Sequence, residues 1–228
     1  MNPLISVIVV TYNRALFLPD ALESIQRQTF RDYEIILVDD GSTDNTKEIA
    51  ENYKEVRYIY QEHGGISKAR NTAVKAARGK WIATLDSDDL WESEKLQKQV
   101  DYLQFHPECR IVYTAFRNFS DIPEKDLDER QKELLHSTID WYLPSALIDT
   151  RLFDEVGLFD ENLVYGEDTD WNLRLRFLRI NMEHYINEAL YLRRIHSMNI
   201  SNTSQKIRNL DFWKMVTDAY RKTKRAGK

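Results

Sequence analysis

The sequence lacks the features that mark several large classes of protein. A single cysteine, Cys109, occurs among 228 residues, so no disulfide can form within the chain, and we expect a reducing compartment. No apolar run approaches the roughly 20 residues that a bilayer-spanning helix needs. The N-terminal residues have neither the basic start nor the small-residue cleavage site of a signal peptide. These absences predict a cytoplasmic protein and leave open peripheral contact with the inner face of a membrane.

Motifs that cradle nucleotide phosphates are also absent. No Gly-x-Gly-x-x-Gly follows the first apolar run, as an NAD-binding Rossmann domain requires, and there is no P-loop. The formal net charge is −5, so the chain has no basic excess for general nucleic-acid binding, and we expect no nucleic-acid partner. An apolar fraction of 42% in a chain of this length suits one large globular domain.

The first half of the chain alternates between two kinds of pattern. Apolar runs at 4–10, 35–38 and 81–85 and an alternating run at 56–60 predict strands. Residues 16–28, 46–53 and 66–77 have the apolar spacing of amphipathic helices. This alternation predicts an α/β fold, a Rossmann-like and mostly parallel sheet with helices on both faces. Right-handed crossovers then bring the carboxyl ends of the strands to one edge.

Polar turns follow three of these strands, at 11–14, 39–42 and 86–89. Since they converge on one edge of the sheet, they predict a cleft for a nucleotide-like ligand. The carboxylates of Asp86, Asp88 and Asp89 would be costly there without a positive partner, and a hard divalent cation is a common one. The alternative is a polar strand end that caps the following helix.

The second half is less regular. We expect a helix at 92–105, strands at 110–119 and 144–148, a compact helix and turn at 151–162, and a helix at 166–179. Residues 121–136 are highly charged and predict a solvated helix or loop. Two short strands are expected at 182–185 and 189–194. Residues 203–228 predict a basic amphipathic helix, suited either to an anionic membrane or to homo-oligomer formation.

The order of the motifs resembles that of family 2 inverting glycosyltransferases, which have the GT-A fold. The motifs are Ser-Val-Ile-Val-Val-Thr-Tyr-Asn-Arg from residue 6, Ile-Leu-Val-Asp-Asp-Gly-Ser-Thr-Asp from 36, Asn-Thr-Ala from 71, Asp-Ser-Asp-Asp from 86, Gly-Leu-Phe-Asp-Glu from 157, Gly-Glu-Asp-Thr-Asp-Trp from 166, and His196 with Ser201. The resemblance covers residues 3–202. It implies a domain at 1–202, with a nucleotide-sugar-binding half at 1–105 and an acceptor-binding half at 106–202.

The resemblance also implies a nucleotide-diphosphate sugar as donor, with uridine or guanosine as its nucleoside and uridine as the expected one. Tyr12 would stack on the base and Asp40 would accept a base N–H, as a planar base with an imino proton needs. Asp39 is expected to form the turn with Gly41. Lys68 or Arg70 would reach the diphosphate or the base, unless they belong to an ordinary solvated helix face. The remaining predicted donor-binding residues are Thr11, Arg14, Asp86 and Ser87.

A metal ion, Mn²⁺ or Mg²⁺, follows from the same resemblance. Asp88 would bond it directly, and Asp86 would contact the ribose or a metal-bound water. His196 would be a further ligand, with a surface histidine in a mobile segment as the alternative. The cation would stabilise the departing nucleotide diphosphate. Asp89 is expected to cap the segment that follows.

Inversion by single displacement needs one carboxylate as base for the acceptor hydroxyl. The resemblance points to Asp168, with Glu167 as the runner-up. Both also suit a helix N-terminus electrostatically, which is their structural alternative. Trp171 is expected to serve packing.

Two other functions fit parts of the pattern. A sugar nucleotidyltransferase would need a Gly-rich basic loop after the first strand, where Thr-Tyr-Asn-Arg stands instead. A non-catalytic relative would bind the sugar nucleotide without transfer. The acceptor is expected to be a saccharide or a lipid-linked molecule in surface polysaccharide or glycoconjugate synthesis, and its identity stays open.

Overall fold

A computed structural model of the chain describes residues 2–137, 142–182, 184–199, 216–217, 219–221 and 223. Within these residues the strands are β1 Ile5–Thr11, β2 Tyr33–Asp39, β3 Val56–Tyr60, β4 Trp81–Asp86, β5 Leu90–Trp91, β6 Ile111–Phe119, β7 Leu147–Asp149 and β8 Tyr185–Arg194. The α-helices are α1 Leu18–Gln26, α2 Thr46–Glu51, α3 Ile66–Ala76, α4 Lys95–Phe105, α5 Glu129–Leu135, α6 Leu152–Val156 and α7 Glu167–Phe177. Short 3₁₀ turns lie at Glu124–Asp126 and Leu143–Ser145.

The strands form one sheet in the order β3-β2-β1-β4-β7-β6-β8-β5. Strands β1 to β4 pair in parallel, as predicted. Strand β7 runs antiparallel to both β4 and β6, while β6 and β8 are parallel and β5 pairs antiparallel with β8. The predicted α/β class is therefore confirmed. The later strands thus add antiparallel pairs to the parallel sheet.

Helices cover both faces of the sheet, as the alternation predicted. Alternate residues of a strand point to opposite faces, so Val7 packs with α1 residues such as Leu22 in one hydrophobic cluster. Ile8, the next residue along β1, belongs to a second cluster that contains Ala73 of α3 and Trp171 of α7. Trp171 is fully buried, which confirms its packing role. The two clusters hold the strand ends, and therefore the site, in fixed relative positions.

Two predictions in the second half need correction. The helix expected at 92–105 is present but begins only at Lys95, after the short strand β5 at residues 90–91 pairs with β8. The two short strands expected at 182–185 and 189–194 are a single strand of 10 residues. Its middle, Asn187 and Glu188, is exposed where the pairing of β8 with β6 shifts register. A bulge of this kind interrupts the apolar pattern without ending the strand.

The charged segment at 121–136 contains α5, which a capping box begins. The Asp128 carboxylate accepts from Gln131 N at 2.7 Å, and the Gln131 side chain accepts from Asp128 N at 2.9 Å. Most of the helix predicted at 203–228 lies outside the described residues. Among those described there, Ala219 is buried and the Tyr220 ring meets the Phe177 ring edge-on at 5.6 Å. No described helix has the length and apolar character to cross a membrane.

Candidate donor and acceptor cleft

The predicted polar turns lie at neighbouring positions of the sheet edge. In the strand register, Thr11 pairs with Asp39 on one side of β1, and Val10 pairs with Asp86 on the other. Parallel pairing thus places the ends of β2, β1 and β4 side by side, as right-handed crossovers require. A cleft at this edge has the position expected for ligands of open α/β sheets.

Asp39 shapes the turn after β2, as predicted. One carboxylate oxygen accepts from Ser42 N at 2.8 Å, and the other accepts from the Tyr58 hydroxyl at 2.7 Å. Burial, followed by this hydrogen bond, raises the pKa of Tyr58 well above its ordinary value, so the phenol stays protonated. Asp39 is buried and directs no oxygen into the cleft.

Asp40 is held by the loop at 61–65. Its Oδ1 accepts from Gln61 Nε2 at 2.6 Å and from Gly64 N at 3.0 Å. Its Oδ2 accepts from Gly65 N at 2.8 Å and lies 2.8 Å from His63 Nδ1. Both oxygens are therefore occupied in this conformation. The predicted contact with a nucleobase remains a prediction, and it would require one of these partners to move.

The predicted stacking ring, Tyr12, already has an aromatic neighbour. Its ring stacks on the imidazole of His63 at 4.2 Å between centroids and 22° between planes. Tyr12 is 41% exposed, so the pair lies at the protein surface. Sequence reasoning missed His63, which stands in a loop rich in glycine and has no motif of its own. A base would stack on the free side of the pair or replace His63.

The other predicted donor-side residues differ in exposure. Thr11 and Ser87 are buried, and Thr11 Oγ1 has no hydrogen-bond partner among the described residues. Lys68 is exposed, and its side chain covers Gly64, where an added Cβ would clash with Lys68 Cδ. Arg14 donates to the Met198 carbonyl at 3.0 Å, which connects the first turn to the segment after β8.

Asp88 meets two basic side chains. His196 Nε2 lies 3.0 Å from its Oδ2, and Arg14 Nε lies 3.5 Å from the same oxygen. Burial alone would raise the pKa of Asp88. The hydrogen bond from His196, together with the positive charge of Arg14, outweighs burial and holds this pKa below its ordinary value. His196 is buried, so the alternative of a surface histidine is wrong.

The hydrogen bonds of His196 assign its tautomer. Its Nδ1 accepts from Met198 N at 3.1 Å, because a backbone N–H can only donate. This leaves the ring proton on Nε2, directed at Asp88, and the side-chain amide nitrogen of Asn199 also lies 3.1 Å from Nε2. To coordinate a metal through Nε2, His196 would have to give up the bond from Met198.

Arg70 joins two distant carboxylates. Its Nη2 donates to Asp86 Oδ1 at 2.9 Å, and its Nη1 donates to Glu167 Oε1. Arg70 is buried, so the solvated helix face proposed as its alternative is wrong, whereas the exposure of Lys68 fits that alternative. Burial raises the pKa of Asp86 against the opposing charge of Arg70, and the charges of Asp88 and Asp168 raise it further. The guanidinium of Arg70 thus bridges the end of β4 and the start of α7.

The predicted metal ligands are only partly assembled. Within the part of the chain that the structure describes, Asp86, Asp88 and His196 do not bring three ligand atoms within 4.8 Å of one another. Asp88 and His196 are in contact, while Asp86 is turned to Arg70. Carboxylate oxygens suit Mg²⁺ or Mn²⁺ and an imidazole suits Mn²⁺, so the donor set fits a cation after side-chain rotation.

Two acidic residues begin α7, and their surroundings differ. The N-cap, Gly166, has φ 76°, a left-handed conformation that favours glycine. Glu167 is buried and paired with Arg70, and burial raises its pKa to about 7 against the pull of that charge. Asp168 is half-buried, and its Oδ1 accepts from Thr169 N at 2.7 Å. Its Oδ2 has no hydrogen bond to any described residue, so Asp168 retains a carboxylate oxygen for another ligand.

Asp89 does not cap the following segment, contrary to the prediction. It is buried and accepts from Tyr191 OH at 2.7 Å and from Arg194 N at 2.8 Å. Burial raises its pKa well above the ordinary value, and the charges of Asp88 and Asp86 raise it further. Asp89 therefore fastens the turn after β4 to strand β8.

Arg194 is a second residue that sequence reasoning missed. Its Nε donates to the Asp88 carbonyl at 2.9 Å, its Nη2 donates to Asp20 at 2.9 Å, and Nη1 contacts Asp121. The guanidinium carbon lies 5.2 Å from the centroid of the Phe17 ring and 5.0 Å from that of Phe119. Arg194 stands in an ordinary basic stretch, and nothing in the pattern singles it out.

Comparison with known proteins supports the interpretation of the cleft. Residues 6–158 match the family model described as glycosyl transferase family 2. An uncharacterized glycosyltransferase of Rickettsia prowazekii is 33% identical over 218 residues, which cover 89% of this chain and 67% of that protein. The match to a sequence family thus spans the turns after β1, β2 and β4.

Solved structures share the fold. TarS of S. aureus in complex with UDP is 28% identical, with a TM-score of 0.69 over 86% of this chain and 61% of that one. A TarS complex with UDP-GlcNAc gives a TM-score of 0.72. The mannosyltransferase PcManGT of Pyrobaculum calidifontis, in complex with GDP-Man and Mn²⁺, has a TM-score of 0.70 at 21% identity and shows the shared fold alone. The chain spans 61% of the TarS chain and about two thirds of the Rickettsia protein.

Proposed function

Because the chain belongs to glycosyl transferase family 2, we propose that it is a metal-dependent inverting glycosyltransferase. It moves a sugar from a nucleotide-diphosphate sugar, UDP-linked in our proposal, to an acceptor hydroxyl. One observation carries the proposal most directly. Arg70 joins Asp86, at the end of the donor half, to Glu167, the residue next to the proposed base Asp168.

The donor nucleotide is assigned to the edge formed by β1 and β2. Tyr12 stacks on the base, and Asp40 and Thr11 line the turns beside it. The UDP and UDP-GlcNAc complexes of TarS, at 28% and 26% identity, support a uridine nucleotide as the donor. The buried Thr11 hydroxyl, which has no partner among the described residues, also supports a ligand nearby.

The cation is assigned to Asp88, with His196 and Asp86 beside it. Mn²⁺ or Mg²⁺ held there would offset the negative charge that grows on the departing diphosphate. Arg14, 3.5 Å from Asp88 Oδ2, adds a second positive charge on the same side. The segment after β8 therefore contributes to the donor site through His196.

The base is assigned to Asp168. The acceptor oxygen attacks the anomeric carbon while its proton passes to the Asp168 carboxylate. The bond from the anomeric carbon to the diphosphate breaks on the opposite side, so the configuration inverts and the nucleoside diphosphate leaves. Asp168 is the better base because its carboxylate is half-buried and forms no ion pair with any described residue, whereas Glu167 is buried and paired with Arg70.

The acceptor is proposed to be a saccharide or a lipid-linked molecule of surface polysaccharide or glycoconjugate synthesis. The segment at 121–141 and the residues after 199 would select it, and part of both lies outside the described residues. Peripheral membrane contact or homo-oligomer formation through 203–228 stays a proposal for the same reason.

The experiment that tests this function is a thermal-shift screen of UDP and GDP sugars with Mn²⁺, followed by an assay of nucleoside diphosphate release. The wild-type protein should be stabilised by a matching donor and should release its diphosphate slowly to water. Asp88→Ala should lose both effects, while Asp154→Ala, an exposed carboxylate on α6, should keep both.

Each failure has a distinct meaning. A donor shift that survives Asp88→Ala unchanged rejects the metal assignment. Tight donor binding without release from any sugar nucleotide favours a non-catalytic relative. The absence of any shift across the screen rejects the donor proposal.

A further inference from the structure

A second group of side chains that can ligate a metal lies away from the cleft, at the opposite end of β8. His106 follows the last residue of α4, Glu108 stands two residues later, and His184 directly precedes β8. One ligand atom from each lies within 4.8 Å of the other two. Since β8 spans 10 residues at about 3.3 Å per residue, roughly 30 Å separates this group from Arg194 and Asp88.

The spacing within the group is close to that of a bound ion. His106 Nδ1 lies 3.6 Å from Glu108 Oε1, and His184 Nε2 lies 4.0 Å from the same oxygen. Ligands of a tetrahedral Zn²⁺ at about 2.0 to 2.2 Å from the metal are separated by roughly 3.3 to 3.6 Å from one another. Small rotations of the side chains would bring the observed separations to this ligand spacing. Glu108 is free to rotate, because its side chain is 63% exposed.

Tyr102 of α4 orients both imidazoles. Its hydroxyl lies 3.2 Å from His184 Nδ1, and its ring stacks on His106 at 4.1 Å between centroids. When His184 Nδ1–H donates to this hydroxyl, the lone pair of the ring is on Nε2, the nitrogen that faces Glu108. Metal-binding histidines commonly have an outer partner of this kind on the other nitrogen.

The backbone fixes the position of His184. Its carbonyl accepts from Tyr113 N at 3.0 Å, and its side chain is buried, so it is the least mobile of the three. Asn181 Nδ2 lies 3.4 Å from His184 Nε2, a long contact that a metal would replace. A fixed histidine with two more mobile ligands suits the entry of an ion from solvent.

We propose that His106, Glu108 and His184 form a Zn²⁺ site that is separate from the donor cleft. Two imidazoles and one carboxylate are the ligands that Zn²⁺ accepts, with water in the fourth position, whereas Mg²⁺ prefers oxygen ligands. The ion would tie the end of α4 to the start of β8. Because β8 leads to Arg194 and His196, the site would stabilise the strand that reaches the cleft.

The proposal is tested by Zn²⁺ binding to the metal-free 228-residue chain, with stoichiometry and affinity measured by competition with a chromophoric chelator. His106→Gln should weaken the Zn²⁺ affinity by about tenfold or more. His136→Gln removes an exposed histidine on another segment and should leave the affinity unchanged. Asp88→Ala, which alters the cleft, should also leave the Zn²⁺ affinity of the His106–Glu108–His184 site unchanged. Thermal midpoints should rise with Zn²⁺ in the wild-type protein and in His136→Gln, but not in His106→Gln.

Two results would overturn the proposal. One is equal Zn²⁺ affinity in wild type and His106→Gln. The other is Zn²⁺ binding that Asp88→Ala abolishes and His106→Gln preserves, which would assign the ion to the cleft. Should His106→Gln fail to fold, Glu108→Gln replaces it, since that side chain is largely exposed and makes only long contacts of 3.6 and 4.0 Å to the two histidines.

Discussion

The imidazole of His196 lies 3.0 Å from the carboxylate of Asp88, although 108 residues separate them in the chain. This contact brings the segment after β8 onto the turn after β4. In the present conformation His196 donates through Nε2, because Nδ1 accepts from Met198 N. The same nitrogen could coordinate a cation held by Asp88, and the two roles have different consequences when the ring is removed.

His196→Ala should raise the Mn²⁺ concentration needed for donor stabilisation by about tenfold or more, because the cation loses a ligand or the group that orients its ligand. The measurement is a Mn²⁺ titration of the thermal shift produced by the best UDP-sugar. His136→Ala removes an exposed histidine and should leave the requirement unchanged. An unchanged requirement in His196→Ala would show that the cation does not depend on His196.

Asp168→Asn should bind donor with normal affinity and release nucleoside diphosphate about 10²- to 10⁴-fold more slowly, because an amide cannot accept the acceptor's proton. The measurement pairs donor affinity with the release rate, using water as the acceptor. Glu167→Gln is the matched comparison, since the amide oxygen can still accept from Arg70. Loss of release in Glu167→Gln with retention in Asp168→Asn would move the base to Glu167.

Arg70→Met should lower the free energy of unfolding by about 3 kcal/mol, because it leaves the buried carboxylate of Glu167 and the half-buried carboxylate of Asp86 without the Arg70 guanidinium. Urea unfolding measures the change. Arg57→Met is the control, because Arg57 is exposed and, among the described residues, donates only to the Ala76 carbonyl. This change should alter stability by about 0.5 kcal/mol or less. Equal losses in the two variants would count against the bridging role of Arg70.

The burial of Lys95 leads us to expect that the stability of the fold depends on pH between about 7 and 10.5. Its ammonium is fully buried, with Gln99 Oε1 at 2.9 Å and the Trp91 ring centroid at 4.4 Å, and burial lowers its pKa to about 7 from an ordinary 10.5. Between these values the unfolded chain binds a proton that the folded chain does not. The contribution of Lys95 to stability therefore rises with pH, by about 2 kcal/mol from pH 7 to pH 9.

The comparison that isolates this effect is Lys95→Met against the wild-type protein, by urea unfolding at both pH values. The variant should lack the rise of about 2 kcal/mol that Lys95 contributes. Lys98→Met alters an ion-paired lysine on the same helix whose side chain is 31% exposed, and it should keep the rise. A parallel pH profile in Lys95→Met and wild type would mean that Lys95 remains charged in the fold.

The strand ends were predictable because they depend on local pattern. The runs before Thr11, Asp39 and Asp86 are apolar on both faces, which predicts buried parallel strands, and the handedness of the crossovers then places their ends together. The late strand was not predictable in the same way. A bulge opposite Ala115 exposes Asn187 and Glu188, so the pattern of β8 looks like that of two separate strands.

Partners of individual side chains were harder to predict. A solvated helix face stayed open as the alternative for Arg70, because its partner Glu167 lies 97 residues later and gives no local signal. Asp89 looked like a helix cap because an N-cap is a local role, whereas its actual partner Arg194 comes from β8. The same limit concealed His63, whose importance comes from its stack on Tyr12 and its contact with Asp40.

The sequence alone determined which strands are buried, which turns meet at one edge of the sheet, and which carboxylates stand there. These properties follow from periodicity and chain connectivity, which act over a few residues. Only the tertiary structure decided that Asp86 shares Arg70 with Glu167, that His196 faces Asp88, and that Asp168 keeps an oxygen with no partner among the described residues. Those outcomes depend on long-range packing of α3, α7 and β8, because the charge and burial around each carboxylate come from segments that are distant in the chain.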